Sequence, residues 1–256
     1  MRARARSGEP TLVELQDTLY QSKNPTRRWI HTRRRQLIEA MLRAAAGSGV
    51  ARALEVGPGS GVHLPLLAEL AAQVVVTDIQ PAFLDRARDL MGERGGVTFL
   101  VDDITRTGLE RSSFDLILCT EVVEHIVAWR AAVAGLAGLL KPGGVLVLST
   151  PQPFSPLEVL GKLAFRPGII RVVRAIYREP ILETGHVSLV ASRRLGAELS
   201  AHGLTMMQRC WSGVYLPVLA EIGGRWALRV EQALEPRMQI RPLRPLLWTQ
   251  YVVARR

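Results

Sequence analysis

Hydrophobic residues in the middle of the chain form short runs, and stretches of helical period separate them. Runs without polar alternation are typical of strands buried on both faces. The predicted strands are ARALEV (51–56), VVVT (74–77), VTFLV (97–101), FDLILC (114–119) and VLVLST (145–150). The predicted helices between them cover 62–72, 82–91 and 128–140. Strands that alternate with helices predict a doubly wound α/β domain with a mostly parallel sheet.

The flanks of this region have different patterns. Apolar residues at helical spacing predict a helix over 25–46, and residues 1–24 show no clear apolar period. After Pro151, prolines interrupt a predicted helical insertion, and the remainder predicts a helix at 192–202 and strands at 204–211 and 248–254. We therefore divide the chain into a basic tail and one domain. The parts are a tail (1–24), an N-terminal helix (25–50), a core (51–151), an insertion (152–185) and a C-terminal part (186–256).

Composition narrows the class of protein. The only two cysteines, Cys119 and Cys210, lack metal-type spacing, so we expect no disulfide framework and a reducing, cytoplasmic environment. No apolar segment follows the basic start, and no apolar run reaches the roughly 18 residues of a spanning helix. We expect a soluble or peripheral protein.

The net charge of +10 is unevenly distributed. Residues 1–50 hold ten Lys/Arg against four Asp/Glu, and residues 151–256 hold fifteen against seven. The central residues 51–150 hold eight against twelve. The basic flanks indicate either an anionic partner or a solvated arginine-rich surface.

The loop after the first predicted strand contains Gly57, Gly59 and Gly61, preceded by Glu55. Glycine permits a sharp turn and lets a ligand approach the backbone. The helix that follows presents its N-terminal amides to that ligand. A dinucleotide dehydrogenase would have glycine at position 62, where this chain has Val62. The glycines are thus spaced one residue tighter than in the dinucleotide pattern, and the loop alone does not identify the ligand.

Acidic residues follow the next predicted strands. Asp78 lies where a carboxylate can accept hydrogen bonds from both ribose hydroxyls. Asp103 and Ile104 follow the third strand, where they could hold an adenine amine and ring. FDLILCTEVVEHI and LLKPGGVLVLSTP complete the set. Each feature alone is compatible with a turn or a cap, so the inference depends on their common order and spacing.

This ordered set, over roughly residues 51–151, resembles the class I S-adenosylmethionine-dependent methyltransferases. The resemblance implies a seven-stranded Rossmann-like sheet whose last strand is antiparallel, with an N-terminal helix and a helical insertion after the fifth strand. It implies S-adenosylmethionine as the cofactor. Glu55 and the three glycines would lie around its methionine part, Asp78 at the ribose, and Asp103 and Ile104 at the adenine. Thr120 completes the predicted cofactor site.

The segment EVVEH (121–125), with a distant Gly185-His186, resembles two narrower groups, the ubiquinone-biosynthesis O-methyltransferases and the small-RNA 3′-end 2′-O-methyltransferases. That resemblance implies a divalent ion held by Glu121, Glu124, His125 and His186, which would lower the pKa of an acceptor hydroxyl. Such ligands suit Mg, Mn, Fe or Zn. Alternatively no metal binds, and His125 and His186 act as general bases or only cap and pack.

The insertion is predicted to set substrate specificity. Arg171, Arg174 and Arg178 follow helical spacing among apolar residues. Such a helix can lie in an anionic membrane interface or form a lid over an apolar pocket. The quinone-type methyltransferases similarly carry a membrane-associating insertion after the fifth strand.

The predicted activity is methyl transfer to a hydroxyl of a small apolar or lipid-like acceptor, with His125 and His186 as the catalytic residues. An RNA 2′-O-methyltransferase is the alternative enzyme. No recognisable RNA-binding module and few aromatic residues make nucleic acid the weaker prediction. A non-catalytic subunit that binds a partner through its basic N-terminal helix is the third reading, and the intact Glu55, Asp78 and Asp103 argue against it.

Overall fold

The computed structural model describes residues 19–47, 49–92, 94–164 and 186–256. Its central feature is a seven-stranded sheet of order β3-β2-β1-β4-β5-β7-β6. The strands are β1 (Val50–Val56), β2 (Ala71–Asp78), β3 (Val97–Val101), β4 (Phe114–Thr120), β5 (Leu140–Pro151), β6 (Thr205–Ser212) and β7 (Thr249–Arg255). Neighbouring pairs from β3 to β5 are parallel, and β7 is antiparallel to both β5 and β6. The predicted sheet, including its antiparallel last strand, is confirmed.

Helices flank this sheet within the described residues. They are α1 (Pro25–Ala46), α2 (Leu64–Leu70), α3 (Pro81–Met91), α4 (Trp129–Leu139), α5 (Pro156–Ala164), α6 (Ser192–Ala201), α7 (Pro217–Ile222) and α8 (Gly224–Leu234). The side chain of Asn24 caps α1 by accepting from the amides of Thr26 and Arg27. Among the described helices, none is both long and apolar enough to cross a membrane.

Two apolar layers enclose the sheet. On one face Ile38, Leu42 and Leu64 pack with residues of β2 and β4, and on the other Val133, Leu136 and Leu195 pack with residues of β1 and β5. Central strands buried on both faces carry continuous apolar runs because each side chain meets one of these layers. The C-terminal ends of the parallel strands β1 to β5 lie at the same edge of the sheet, where sheets of this type bind ligands.

The helix predicted over 128–140 is one residue too long at its C-terminal end. Leu140 pairs with Phe114 of β4, and regular pairing resumes where Val145 meets Leu116. The intervening Lys141-Pro142-Gly143-Gly144 bulges out of the strand. Its backbone exchanges hydrogen bonds with Arg256, from Gly143 N to Arg256 O at 2.8 Å and from Arg256 N to Gly144 O at 3.0 Å. Pairing with the chain's last residue is a long-range effect that local propensity does not encode.

Other boundaries also move. The helix predicted over 62–72 is shorter, because the chain enters β2 at Ala71, and α7 and α8 were not predicted. Within the predicted insertion the structure describes α5. Arg171, Arg174 and Arg178 lie outside the described residues, as does the tail up to residue 18.

Candidate active site

The glycine loop follows β1 at the ligand-binding edge. Gly57, Gly59 and Gly61 all have positive φ, at 71°, 52° and 70°, which an L side chain adopts only with strain. A Cβ at Gly57 would clash with Cγ2 of Val122. The amide of Gly57 donates to the carbonyl of Thr77 in β2 at 2.8 Å, so the loop starts where the pairing of β1 with β2 ends.

Glu55 lies in β1 just before this loop. It is fully buried, and among the described residues neither carboxylate oxygen has a hydrogen-bond partner. Burial raises its pKa to about 8. A buried carboxylate without a partner is costly, and a cationic group such as the ammonium of an amino acid would satisfy it. The glycine loop and this carboxylate together fit the methionine part of S-adenosylmethionine.

Asp78 ends β2, beside the glycine loop. One of its oxygens accepts from the amide of Gln80 at 2.8 Å, and burial raises the pKa of the carboxyl. Since β1 and β2 are adjacent and parallel, Glu55, Gly57 and Asp78 share one edge of the sheet. This arrangement fits the predicted ribose contact.

Asp103 and Ile104 have structural partners of their own. Asp103 accepts from the amide and hydroxyl of Thr105 at 3.0 and 2.7 Å, and from Arg106 at 3.1 Å. These bonds lower its pKa and cap a short 3-10 turn. Ile104 is buried in the apolar layer, and its carbonyl lies so close to Gly135 that a Cβ at that position would clash with it. Their adenine contacts stay a prediction.

Glu121, just past Thr120 at the end of β4, has φ of 54°, an uncommon value for a residue with a side chain and one often found at functional sites. One oxygen accepts from Arg34 of α1 at 2.8 Å, and the other from the hydroxyl of Ser149 at 2.7 Å. The ion pair is mostly buried, with side-chain exposures of 11% and 19%. Arg34 thus forms an ion pair with a carboxylate for which the family resemblance implied a metal.

The other three predicted ligands come together. Ligand atoms of Glu124, His125 and His186 all lie within 4.8 Å of one another, and the two imidazole centroids are 5.1 Å apart. One oxygen of Glu124 accepts from Thr150 at 3.0 Å, while the other is buried with no partner among the described residues. Burial, then the charge of Glu121, raises the pKa of Glu124 well above its usual value. We call these three residues the Glu-His-His cluster.

Three contributors to this region were not predicted as site residues. Glu158 of α5 binds Nδ1 of His186 at 3.0 Å and accepts from Nε1 of Trp248 at 3.1 Å. The guanidinium of Arg34 lies 5.5 Å from the centre of the Trp248 ring. Arg34 could have been found, because it follows Ile30 and precedes Ile38 by four residues each and so shares their buried face. No local pattern marks Glu158 or Trp248.

Comparison with known proteins finds similarity over this region. A family model described as a methyltransferase domain matches residues 54–148. The ubiquinone biosynthesis O-methyltransferase of Xanthomonas axonopodis pv. citri (strain 306) is 38% identical over 117 residues, which are 43% of this chain and 48% of that protein. The chain thus matches about half the length of the curated relatives.

Solved structures support the fold over most of the chain. The N-methyltransferase NodS from Bradyrhizobium japonicum WM9, in complex with S-adenosyl-L-homocysteine, is 18% identical, with a TM-score of 0.58 over 95% of this chain and 97% of that one. The (4+2)-cyclase SpnF has the same identity and TM-score over 87% and 80% of the two chains. One fold thus hosts different reactions, and the reaction must be argued from the site.

Proposed function

We propose that this chain, whose residues 54–148 match a methyltransferase domain model, transfers a methyl group from S-adenosylmethionine to a hydroxyl of a small apolar acceptor. The observation that carries the proposal is the buried carboxylate of Glu55, which has no hydrogen-bond partner among the described residues and lies beside the positive-φ glycine loop. Asp78 ends the adjacent strand at the same edge, which supports a ligand with both an ammonium and a ribose.

The protein's own groups would bind and orient the reactants. S-adenosylmethionine, when bound, supplies a methyl group on a positively charged sulfur. Glu55 would hold the ammonium, the glycine loop would admit the amino-acid part, and Asp78 would accept hydrogen bonds from the ribose. Holding two reactants in line removes much of the entropic barrier to their reaction. Transfer of that methyl group to the acceptor oxygen would release S-adenosylhomocysteine and would require a group of the chain to take the proton of the acceptor hydroxyl.

The Glu-His-His cluster supports two ways of taking that proton. Either imidazole can act as a general base near neutral pH. A divalent ion on the cluster would instead lower the pKa of the hydroxyl. The second oxygen of Glu124, which has no partner in the part of the chain that the structure describes, favours a cation there. We therefore propose Glu124, His125 and His186 as ligands, and Glu121 as a partner of Arg34.

The acceptor class is proposed from apolar side chains exposed on and just before α5, the helix that carries Glu158. Val159 and Leu160, next to Glu158 on α5, are about 43% and 42% exposed, and Phe154 just before the helix is 59% exposed. Apolar side chains at this place favour an apolar or lipid-like acceptor. The O-methyltransferase name of the curated relatives supports oxygen as the acceptor atom.

Cofactor binding tests the proposal directly. Asp78→Ala should weaken the binding of S-adenosylhomocysteine by about 1.5–3 kcal/mol, because a hydrogen bond to a charged group is lost. Isothermal titration calorimetry measures this without knowledge of the acceptor. Asp89→Ala, on the exposed side of α3, is the matched control and should bind normally. NAD should be titrated alongside, and tighter binding of NAD than of S-adenosylhomocysteine would contradict the proposal.

Metal binding is measurable in the same way. We expect Mn²⁺ or Zn²⁺ to bind the wild type and Glu121→Gln, and to be lost from Glu124→Gln, His125→Ala and His186→Ala, because only the last three residues belong to the cluster. His202→Ala, an exposed histidine bound to Glu198, is the control. Elemental analysis that finds no ion in the wild type, together with no heat on titration, would leave the histidines as the bases.

A further inference from the structure

We propose that Glu158 is a positioning residue that fixes His186 with a proton on Nδ1 and leaves the lone pair on Nε2 for the Glu-His-His cluster. The inference deepens the proposed function, because that cluster is where the acceptor would lose its proton. It assigns a role to a residue of α5 that belongs to no family motif of the sequence.

The contacts of Glu158 are short and shielded from water. Its Oε2 lies 3.0 Å from Nδ1 of His186, and its Oε1 lies 3.1 Å from Nε1 of Trp248. The side chains of Glu158 and His186 are only 8% and 10% exposed. The amide of Glu158 donates to the hydroxyl of Ser155, which fixes the start of α5. Both carboxylate oxygens are therefore engaged at once.

The donors and acceptors of Trp248, Glu158 and His186 are compatible with one tautomer of a neutral His186. Indole Nε1 can only donate, and an ionised carboxylate can only accept. A neutral imidazole has one N–H and one lone pair, so the nitrogen that faces Glu158 must carry the proton. The lone pair then lies on Nε2. Trp248 contributes by holding the carboxylate in place.

This tautomer suits either chemistry of the cluster. A histidine whose other nitrogen donates to a carboxylate is held in orientation and becomes a stronger ligand and base. The imidazole of His186 lies beside that of His125, with centroids 5.1 Å apart. Glu158 thus acts through His186 and touches no reacting atom.

A single substitution can reverse the arrangement. In Glu158→Gln the amide oxygen should face the N–H of Trp248. The opposite orientation would place the amide NH₂ against that N–H, and two donors cannot form a hydrogen bond. The amide NH₂ would then face Nδ1 of His186, which becomes the acceptor, and the proton moves to Nε2. Trp248→Phe is the matched control. It removes the indole donor but leaves the carboxylate, so His186 should keep its proton on Nδ1.

Nitrogen-15 NMR of histidine-labelled full-length protein at pH of about 8.5, where an ordinary imidazole is neutral, reads the tautomer directly. The signal lost in His186→Asn assigns the residue, and His202 serves as an internal control for folding. The expected result is Nδ1–H in the wild type and in Trp248→Phe, and Nε2–H in Glu158→Gln. A proton on Nε2 of the wild type, or an unchanged tautomer in Glu158→Gln, would overturn the proposal.

The same samples separate this inference from the proposed function. Glu158→Gln should bind S-adenosylhomocysteine within about twofold of the wild type, because the contacts of Glu158 are with Ser155, His186 and Trp248. Wild type that shows the expected tautomer but binds no S-adenosylhomocysteine would contradict the methyltransferase proposal alone. Once an acceptor is known, Glu158→Gln should lower kcat more than it raises KM.

Discussion

At the scale of single residues, Glu55 makes an unfavourable contribution that a bound cation would relieve. Its carboxyl is buried without a hydrogen-bond partner among the described residues, and burial raises its pKa to about 8. The proton is therefore held more tightly in the folded protein than in the unfolded chain, where the pKa is near the usual 4.5. A bound ammonium would reverse this preference by stabilising the carboxylate.

The sign of the pH dependence follows from this difference. Because the folded protein holds the extra proton, the contribution of Glu55 to stability is fully present below about pH 4.5 and is lost as pH rises towards 8. We expect the free energy of unfolding of the cofactor-free wild type to fall between pH 5 and 8 relative to that of Glu55→Gln. The slope is at most about 1.4 kcal/mol per pH unit.

Urea unfolding of both proteins at several pH values measures the effect. Asp78 and Glu124 also have raised pKa values, so the difference between the two proteins, and not either curve alone, isolates Glu55. A difference that stays constant from pH 5 to 8 would contradict the assignment. Glu55→Gln should also bind S-adenosylhomocysteine more weakly, since a neutral amide cannot pair with an ammonium.

At the scale of helices and strands, the sequence predicts those elements whose conformation depends on residues close by in the chain. The parallel strands are apolar runs, and the glycine loop and Asp78 lie at fixed distances from them, so their meeting at one edge could be predicted. Leu140 and the Lys141-Pro142-Gly143-Gly144 bulge could not, because their conformation depends on Phe114 and on Arg256. Local propensity contains no information about partners more than a hundred residues away.

In the candidate site, too, local features could be predicted and contacts between distant residues could not. Glu124 and His125 are adjacent in sequence, and their cluster with His186 was anticipated from family resemblance. Arg34 changes the expected metal site because the docking of α1 brings a guanidinium onto Glu121. A buried carboxylate paired with an arginine is costly to unpair, so Glu121 is a poor candidate for a metal ligand here. That conclusion required the tertiary structure.

At the scale of the whole molecule, one C-terminal region exposes its basic side chains and turns its acidic side chains towards the interior. Residues 217–241 expose four apolar side chains and four arginines. These are Val218, Ile222, Trp226 and Ile240 with Arg225, Arg229, Arg237 and Arg241. The acids of the same stretch turn inward: Glu221 pairs with Arg27, Glu231 accepts from Thr26, and Glu235 accepts from the amide of Gly213. Apolar and basic side chains together are typical of a surface that meets anionic lipid.

We therefore expect the protein to sediment with vesicles that contain anionic lipid and to be released as salt rises. Each arginine near such a surface contributes roughly 1 kcal/mol, so Arg225→Gln with Arg229→Gln should weaken binding by about 2 kcal/mol, a factor of roughly 30. The control is Arg193→Gln with Arg194→Gln, which removes the same charge from the exposed side of α6 and should have little effect.

Replacement of Arg171, Arg174 and Arg178 tests whether the insertion is a second site of membrane attachment. Equal losses from the α8 pair and the α6 pair would mean that net charge, and not this surface, drives binding. No retention on anionic vesicles at low salt would contradict membrane association altogether and favour the insertion as a lid.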